Sequence, residues 1–102
     1  MTKIDTQEKL RDIYGEPNGL AAAKCLSALD PHCMHFISLA PFAVISSADA
    51  DGNADVSPRG DGPGFIKVLD DKTLVMPDRP GNNRVDSLSN IVDNPKVGML
   101  FF

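Results

Sequence analysis

The apolar positions in the first third of the chain recur with the period of an α-helix. A partial apolar stripe predicts a helix over residues 2–14, for which Asp5 or Thr6 supplies the N-cap side chain. The Gly and Pro of residues 15–17 end this helix. A segment rich in Ala and Leu then predicts a second helix over residues 20–29.

A third predicted helix begins at an Asp-Pro pair. Asp30 is a favourable N-cap, and Pro31 fits the first helical position because an N–H group has no partner there. The pair predicts a helix that runs to about residue 39 and ends before Pro41. Residues 1–40 are therefore expected to form a helical N-terminal extension.

After residue 40 the pattern changes to short apolar runs separated by turn residues. These runs predict strands over residues 42–48, 54–59, 65–69, 73–76 and 96–102, with one helix over 82–92. The apolar face predicted for that helix consists of Val85, Leu88, Ile91 and Val92. Helices followed by an antiparallel meander indicate an α+β or mainly β fold with a small barrel, not alternating parallel βαβ units. Residues 41–102 are the expected barrel part.

Composition and charge exclude several classes of protein. The 102 residues are 42% hydrophobic, which is too apolar for a disordered chain, and no apolar run approaches the roughly 20 residues of a membrane-spanning helix. The net charge of −4 argues against a nonspecific nucleic-acid binder. Residues 1–12 are charged and do not resemble a signal peptide, so a cytoplasmic protein is expected.

The two cysteines, Cys25 and Cys33, are too few for the disulfide scaffold of a small secreted domain. They lie near His32 and His35, but the spacing is loose and no second ligand pair follows, so no metal site is expected. Free cysteine facing the core is the more ordinary explanation. No Ser, His and acid residues stand at a recognised catalytic spacing, and no catalytic residue is assigned.

Residues 76–84 carry two arginines, a glycine and two asparagines between a predicted strand and a predicted helix. A helix N-terminus exposes unpaired N–H groups and Arg matches phosphate geometry, so this segment suits an anion. Arg59 on the neighbouring hairpin adds another cation to an acidic chain. A structural explanation stays open, in which an asparagine caps the helix and the arginines pair with Asp61, Asp78 or Asp86.

Five runs of the sequence resemble one known family. Residues 10–17, 42–48, 55–61, 77–87 and 94–98 are similar to the pyridoxamine 5′-phosphate oxidase-related, FMN-binding split-barrel family, in particular to an uncharacterised bacterial branch of it. The resemblance covers nearly the whole chain, and the run Pro-Asp-Arg-Pro-Gly-Asn-Asn-Arg is its most specific part.

The resemblance implies a split β-barrel that forms a homodimer, with FMN bound at the dimer interface. It implies phosphate or ribityl contacts from Arg59, Asn83 and Arg84, with Asn82 at the same helix start. The residues implied beside the flavin are Ser57, Pro58, Met76, Pro77 and Asp78. The expected function is an oxidoreductase that uses FMN on an unknown small molecule. Alternatives are a non-catalytic module for FMN, haem or a phosphorylated ligand, and a dimerising fragment without a cofactor.

The last residues of the chain, 97–102, are apolar, whereas free termini are usually polar and frayed. Members of the similar branch continue with further barrel strands, so this chain is expected to be C-terminally truncated, the front part of a larger barrel. Residues 97–102 are accordingly expected to pair with a neighbouring strand, within the chain or across a dimer.

Overall fold

The computed structural model describes residues 3–78 and 86–102, without the side chain of Ala21. In chain order the elements are α1 (Gln7–Tyr14), α2 (Gly19–Ala23), α3 (Pro31–Leu39), β1 (Phe42–Ala48), β2 (Ala54–Gly60), β3 (Lys67–Asp70), β4 (Thr73–Val75), α4 (Asp86–Asp93) and β5 (Gly98–Phe101). The order confirms an α+β chain in which helices precede antiparallel strands.

Local capping chemistry sets the ends of α1 and α3. The Thr6 hydroxyl accepts a hydrogen bond from the Lys9 backbone N–H at 3.1 Å, and Gly15 ends α1 with φ of 71°. The Asp30 carboxylate accepts from the backbone N–H of Cys33 at 2.7 Å, with proline in the first turn of α3. Both predicted caps are confirmed, although α1 begins later than residue 2.

The prediction of a second helix over residues 20–29 was wrong for residues 24–29. The chain leaves the helical conformation after α2, and residues 24–29 are irregular. Leu29 donates its backbone N–H to the carbonyl of Asp71 at 2.8 Å, in the turn between β3 and β4. A helix would use that N–H for a bond four residues back, so the tertiary contact overrides the helical propensity of the segment.

β1 is the central strand of the larger sheet, which has the order β2-β1-β5 and is antiparallel throughout. β3 and β4 form a separate hairpin that begins two residues later than predicted, at Lys67. The two sheets make an open, partial barrel, as expected. Pairing of β5 with β1 confirms that the apolar last residues lie in a sheet within the chain.

The core is small and lies where α3, β1 and the start of β3 meet. Its buried centre is Ile37, Ala43 and Ile66, and the half-buried residues around it are Leu29, Phe65, Val68, Leu74, Met76, Met99 and Phe101. Because Ile37 belongs to α3, the last predicted helix of the extension packs into the same core as the strands. The division of the chain at residue 40 stays a prediction.

α4 packs on β1 and β2, but among the described residues of its predicted apolar face only Ile91 is half-buried. Val92 is 84% exposed and Leu88 is exposed, whereas Ser87 is only 3% exposed. Asn90 Nδ2 donates to the Ser47 hydroxyl of β1 at 3.1 Å. The predicted face was therefore wrong for Leu88 and Val92, because a polar contact with β1 fixes the rotation of the helix. The start predicted for this helix and Val85 lie outside the described residues.

The backbone conformation at position 64 requires a glycine. Replacing Gly64 therefore tests the packing between α3 and the residues that precede β3. Its φ is +74°, and an added Cβ would lie 2.5 Å from the Ser38 carbonyl oxygen. We expect Gly64→Ala to lower the free energy of unfolding by about 1–3 kcal/mol in urea titrations. Gly62→Ala is the matched control, since an added Cβ there has nothing within 4 Å. Equal stability of the two variants would contradict this packing.

Three aspartates give the fold a defined sensitivity to acid. Hydrogen bonds from Cys33 to Asp30, from Asn53 to Asp49 and from Lys72 to Asp70 lower the pKa of each carboxyl below 3.8. A lowered folded-state pKa stabilises the fold above the unfolded value, and that stabilisation is lost as pH falls through the folded-state pKa. The melting temperature should therefore decrease as pH falls below about 4.

Asp49→Asn tests this pH dependence, because Asp49 also accepts backbone N–H groups from Asp51 and Asn53, both at 2.9 Å. The variant should have a lower melting temperature at neutral pH and should lose less stability on acidification than the unchanged chain. Asp51→Asn, in the same turn, is the control. Parallel melting-temperature curves for the Asp49 variant and the unchanged chain would show that this carboxylate is not involved.

Candidate functional site

Strand alternation on β2 separates the candidate residues onto two faces. Ser57 and Arg59 are half-buried opposite Ile45 and Ala43 of β1, on the face that α4 covers. Pro58 is exposed and lies opposite Val44, on the other face. The structure therefore brings Ser57 and Arg59 together under α4, and Pro58, although it is exposed, lines the same cavities.

The first of three neighbouring cavities lies between β2 and the Asp86 end of α4. Its volume is about 200 Å³, and its lining is Asp55, Val56, Ser57, Pro58, Arg59, Asp86 and Ser87. Most of these residues carry polar side chains. Among the described residues this polar cavity is therefore lined by one cationic side chain, that of Arg59, and by two carboxylates, those of Asp55 and Asp86.

The second and third cavities continue from the first toward β4. The second, about 210 Å³, is lined by Pro58, Arg59, Gly60, Asp61, Phe65, Met76 and Pro77. The third, about 400 Å³, is lined by Asp61, Gly62, Pro63, Gly64, Phe65, Lys67, Val75 and Pro77. Arg59 is shared by the first two cavities, and Phe65 by the last two. We call the three together the Arg59 groove.

The guanidinium of Arg59 carries a buried donor for which the described part of the chain offers no acceptor. Its Nε atom is buried and has no hydrogen-bond partner within residues 3–78 and 86–102. Leaving a buried donor unpaired costs on the order of 1–3 kcal/mol, and more for a charged group. Because guanidinium N–H groups match phosphate and carboxylate oxygens, the groove suits an anionic ligand beside Arg59.

The other predicted site residues divide into three groups. Met76 and Pro77 line the Arg59 groove with Arg59, and Asp78 is exposed and is not among the lining residues. Asn82, Asn83 and Arg84 lie outside the described residues. Ser87 and Phe65 also line the groove and were not among the predicted site residues. Ser87 closes the run 77–87, so its position in that run was the available signal.

The remaining features of the chain that bear on function are its metal-ligand residues, its two cysteines and the length of its helices. Among residues 3–78 and 86–102, no group of three or more His, Cys, Asp or Glu side chains could hold a metal ion. Cys25 is exposed and Cys33 is half-buried, so the two do not share a buried position. In the same part of the chain, every helix is too short or too polar to cross a membrane.

The fold is an α+β partial split barrel, and the Arg59 groove is its candidate functional site. Comparison with known proteins agrees: the family described as pyridoxamine 5′-phosphate oxidase matches residues 29–102. The chain belongs to the pyridoxamine 5′-phosphate oxidase family, a family of FMN-binding split-barrel proteins. No curated protein and no solved structure matches the chain. The family resemblance seen in the sequence is thereby confirmed over residues 29–102, while the bacterial branch and the similarity of residues 10–17 stay predictions.

Proposed function

We propose that the chain binds FMN in the Arg59 groove and acts as an FMN-dependent oxidoreductase on a small molecule. The observation that carries the proposal is the buried Nε of Arg59, for which the described residues offer no acceptor. A phosphate oxygen beside Arg59 would satisfy this donor and neutralise the guanidinium charge.

The shape of the groove supports a ligand with a phosphate at one end and a flat ring at the other. The cavity next to Ser57 and Ser87 is narrow and polar, which suits phosphate and ribityl oxygens. The cavity beyond Phe65 is about twice as large and is lined mainly by Gly, Pro and apolar side chains. An isoalloxazine ring needs a space of this second kind.

Charge in the groove makes Arg59 decisive in the proposal. Asp55, Asp61 and Asp86 also line the groove. Arg59 lines the first two cavities, whereas Lys67 lines only the third. Without the Arg59 cation the three carboxylates would repel a phosphate in the first two cavities. From the family resemblance we include Asn82, Asn83 and Arg84 as further phosphate contacts, and Met76, Pro77 and Asp78 beside the ring.

Bound FMN would supply the electron transfer, while the protein binds the cofactor and orients it. In the proposal Arg59 holds the phosphate, the Ser57 hydroxyl lies beside the ribityl chain, and Phe65 supports the ring. This assignment needs no acid or base from the chain, which agrees with the absence of a recognisable catalytic motif in the sequence.

We also propose that two copies associate through the outer face of the larger sheet, opposite to the face of Ser57 and Arg59, so this interface differs from the expected one that contains FMN. Val44 on this face lies between Pro58 of β2 and Leu100 of β5. Val56 and Leu100 are more than half exposed, so three adjacent strands present apolar side chains to solvent. A contiguous apolar face of this kind marks an interaction site, and the family resemblance favours a second copy as the partner.

Titration with FMN tests the cofactor proposal. The purified protein should show the visible absorption of flavin or should quench FMN fluorescence on titration. Loss of a charge-assisted hydrogen bond should make Arg59→Ala bind FMN about ten- to a hundredfold more weakly. Arg11→Ala is the control, since Arg11 lies in α1 and bonds to the Gly15 carbonyl, outside the groove.

Riboflavin, which lacks the phosphate, separates a phosphate contact from a ring contact. The unchanged chain should prefer FMN to riboflavin, and Arg59→Ala should lose most of that preference. If the Arg59→Ala variant kept the full preference for FMN over riboflavin, Arg59 would not hold the phosphate. Failure of FMN either to bind or to raise the melting temperature would overturn the cofactor proposal, because a ligand of the native state must stabilise it.

Sedimentation equilibrium tests the association of two copies. The chain should sediment as a dimer, and Leu100→Arg should weaken the dimer about tenfold or more, since it places a charge in an apolar contact. Leu20→Arg is the control, because Leu20 is highly exposed in α2, away from the sheet. A monomeric unchanged chain, or a dimer that tolerates Leu100→Arg as well as Leu20→Arg, would contradict this interface.

A further inference from the structure

A fourth cavity lies on another side of the molecule from the Arg59 groove. Its volume is about 480 Å³, within the range of small-molecule sites, and it shares no lining residue with the groove. It lies between irregular residues 24–29, α3 and the β3–β4 turn. Its principal lining residues are Lys24, Leu26, Leu29, Cys33, Lys72 and Leu74. We call it the Lys24 cavity.

Two hydrogen bonds, one made by Leu29 and one by Asp30, hold the walls of the Lys24 cavity in place. Leu29 N–H donates to the Asp71 carbonyl at 2.8 Å and holds the irregular segment against the β3–β4 turn. Next along the chain, the Asp30 carboxylate accepts from Cys33 N–H and fixes the first turn of α3. The cavity therefore exists because the chain leaves α2 early, the feature that the helical propensity of the segment did not predict.

The lining combines an apolar interior with positive charge. Leu29 and Leu74 pack against the core, and Leu26, which extends the apolar wall, is 55% exposed. Lys24 and Lys72 line the cavity with one acid, Asp71, so the lining carries a net positive charge. Neither lysine forms an ion pair with any carboxylate in the described parts of the chain.

The geometry points to a second ligand site, in which the Lys24 cavity binds a small amphipathic carboxylate of the medium-chain fatty acid class. The alkyl tail would lie against Leu26, Leu29 and Leu74, and the carboxylate would lie toward the lysines. Burying an exposed apolar wall supplies the favourable free energy, and charge complementarity selects the anion. Nothing in this assignment uses the Arg59 groove.

The two cysteines provide a built-in readout for this proposal. Cys33 lines the cavity, while Cys25 is exposed and is not a lining residue. Decanoate, below its critical micelle concentration, should slow alkylation of Cys33 by N-ethylmaleimide in a saturable manner and leave Cys25 unaffected. The rates are measured for the full chain by peptide mass spectrometry. Decyltrimethylammonium, with the same tail and the opposite charge, should protect Cys33 much less.

Variants at the cavity rim locate the site without disturbing the core. Lys24→Ala and Lys72→Ala should each raise the half-protecting decanoate concentration about two- to fivefold, as expected for exposed charge pairs. Leu26→Ser should also weaken protection, whereas Leu20→Ser should not, since Leu20 is 76% exposed and outside the lining. Arg59→Ala should leave protection unchanged, so a failure of FMN binding does not affect this test.

Several outcomes would overturn the proposal. These are absence of protection by decanoate, equal protection of Cys25 and Cys33, equal protection by the cationic amphiphile, and identical behaviour of Leu26→Ser and Leu20→Ser. Equal protection of both cysteines would indicate adsorption on the general surface, and equal effects of both amphiphiles would show that the lysines do not select the ligand.

Discussion

The alternation of side chains along β1 is the constraint on which the rest of this structure depends. β1 pairs on both sides, so the direction of each of its residues also fixes the residues beside it on β2 and β5. Ala43, Ile45 and Ser47 face inward and are buried. A slip of one residue between β1 and β2 would exchange the inward Ser57 and Arg59 for Val56 and Pro58. The groove therefore depends on register before it depends on any individual side chain.

The same register explains how a guanidinium reaches a buried position. Arg59 lies opposite Ala43, whose small side chain is completely buried and leaves room on the inner face. A larger residue at position 43 would occupy the space between β1 and Arg59. α4 covers this region through the Asn90–Ser47 hydrogen bond, a polar contact that leaves its apolar Val92 in solvent. The pairing of β1 with β2 therefore links the packing of the core at Ala43 to the position of Arg59 in the groove.

The sequence predicted best what short-range chemistry decides. Thr6, Asp30 and Gly15 act on backbone groups within a few residues, and β1 matches its predicted bounds because Pro41 precedes it and the turn residues 49–53 end it. Residues 24–29 could not be predicted, since a hydrogen bond to the distant Asp71 decides their conformation. The rotation of α4 likewise depends on Ser47, which is distant in sequence. The sequence and the family resemblance made Arg59 a candidate, and the structure adds that its buried Nε has no acceptor among residues 3–78 and 86–102.

The chain exposes more surface than a compact monomer of its mass, and this excess couples its stability to the binding of partners and ligands. Its accessible surface is 7873 Å², whereas a compact monomer of this mass exposes about 5,600 Å². The radius of gyration, 17.1 Å, also exceeds the roughly 13 Å of a compact domain of this length. A core centred on Ile37, Ala43 and Ile66 leaves apolar area uncovered on the outer sheet face and around the Lys24 cavity. Any partner or ligand that covers this area binds only the folded chain, so association and folding must be thermodynamically coupled.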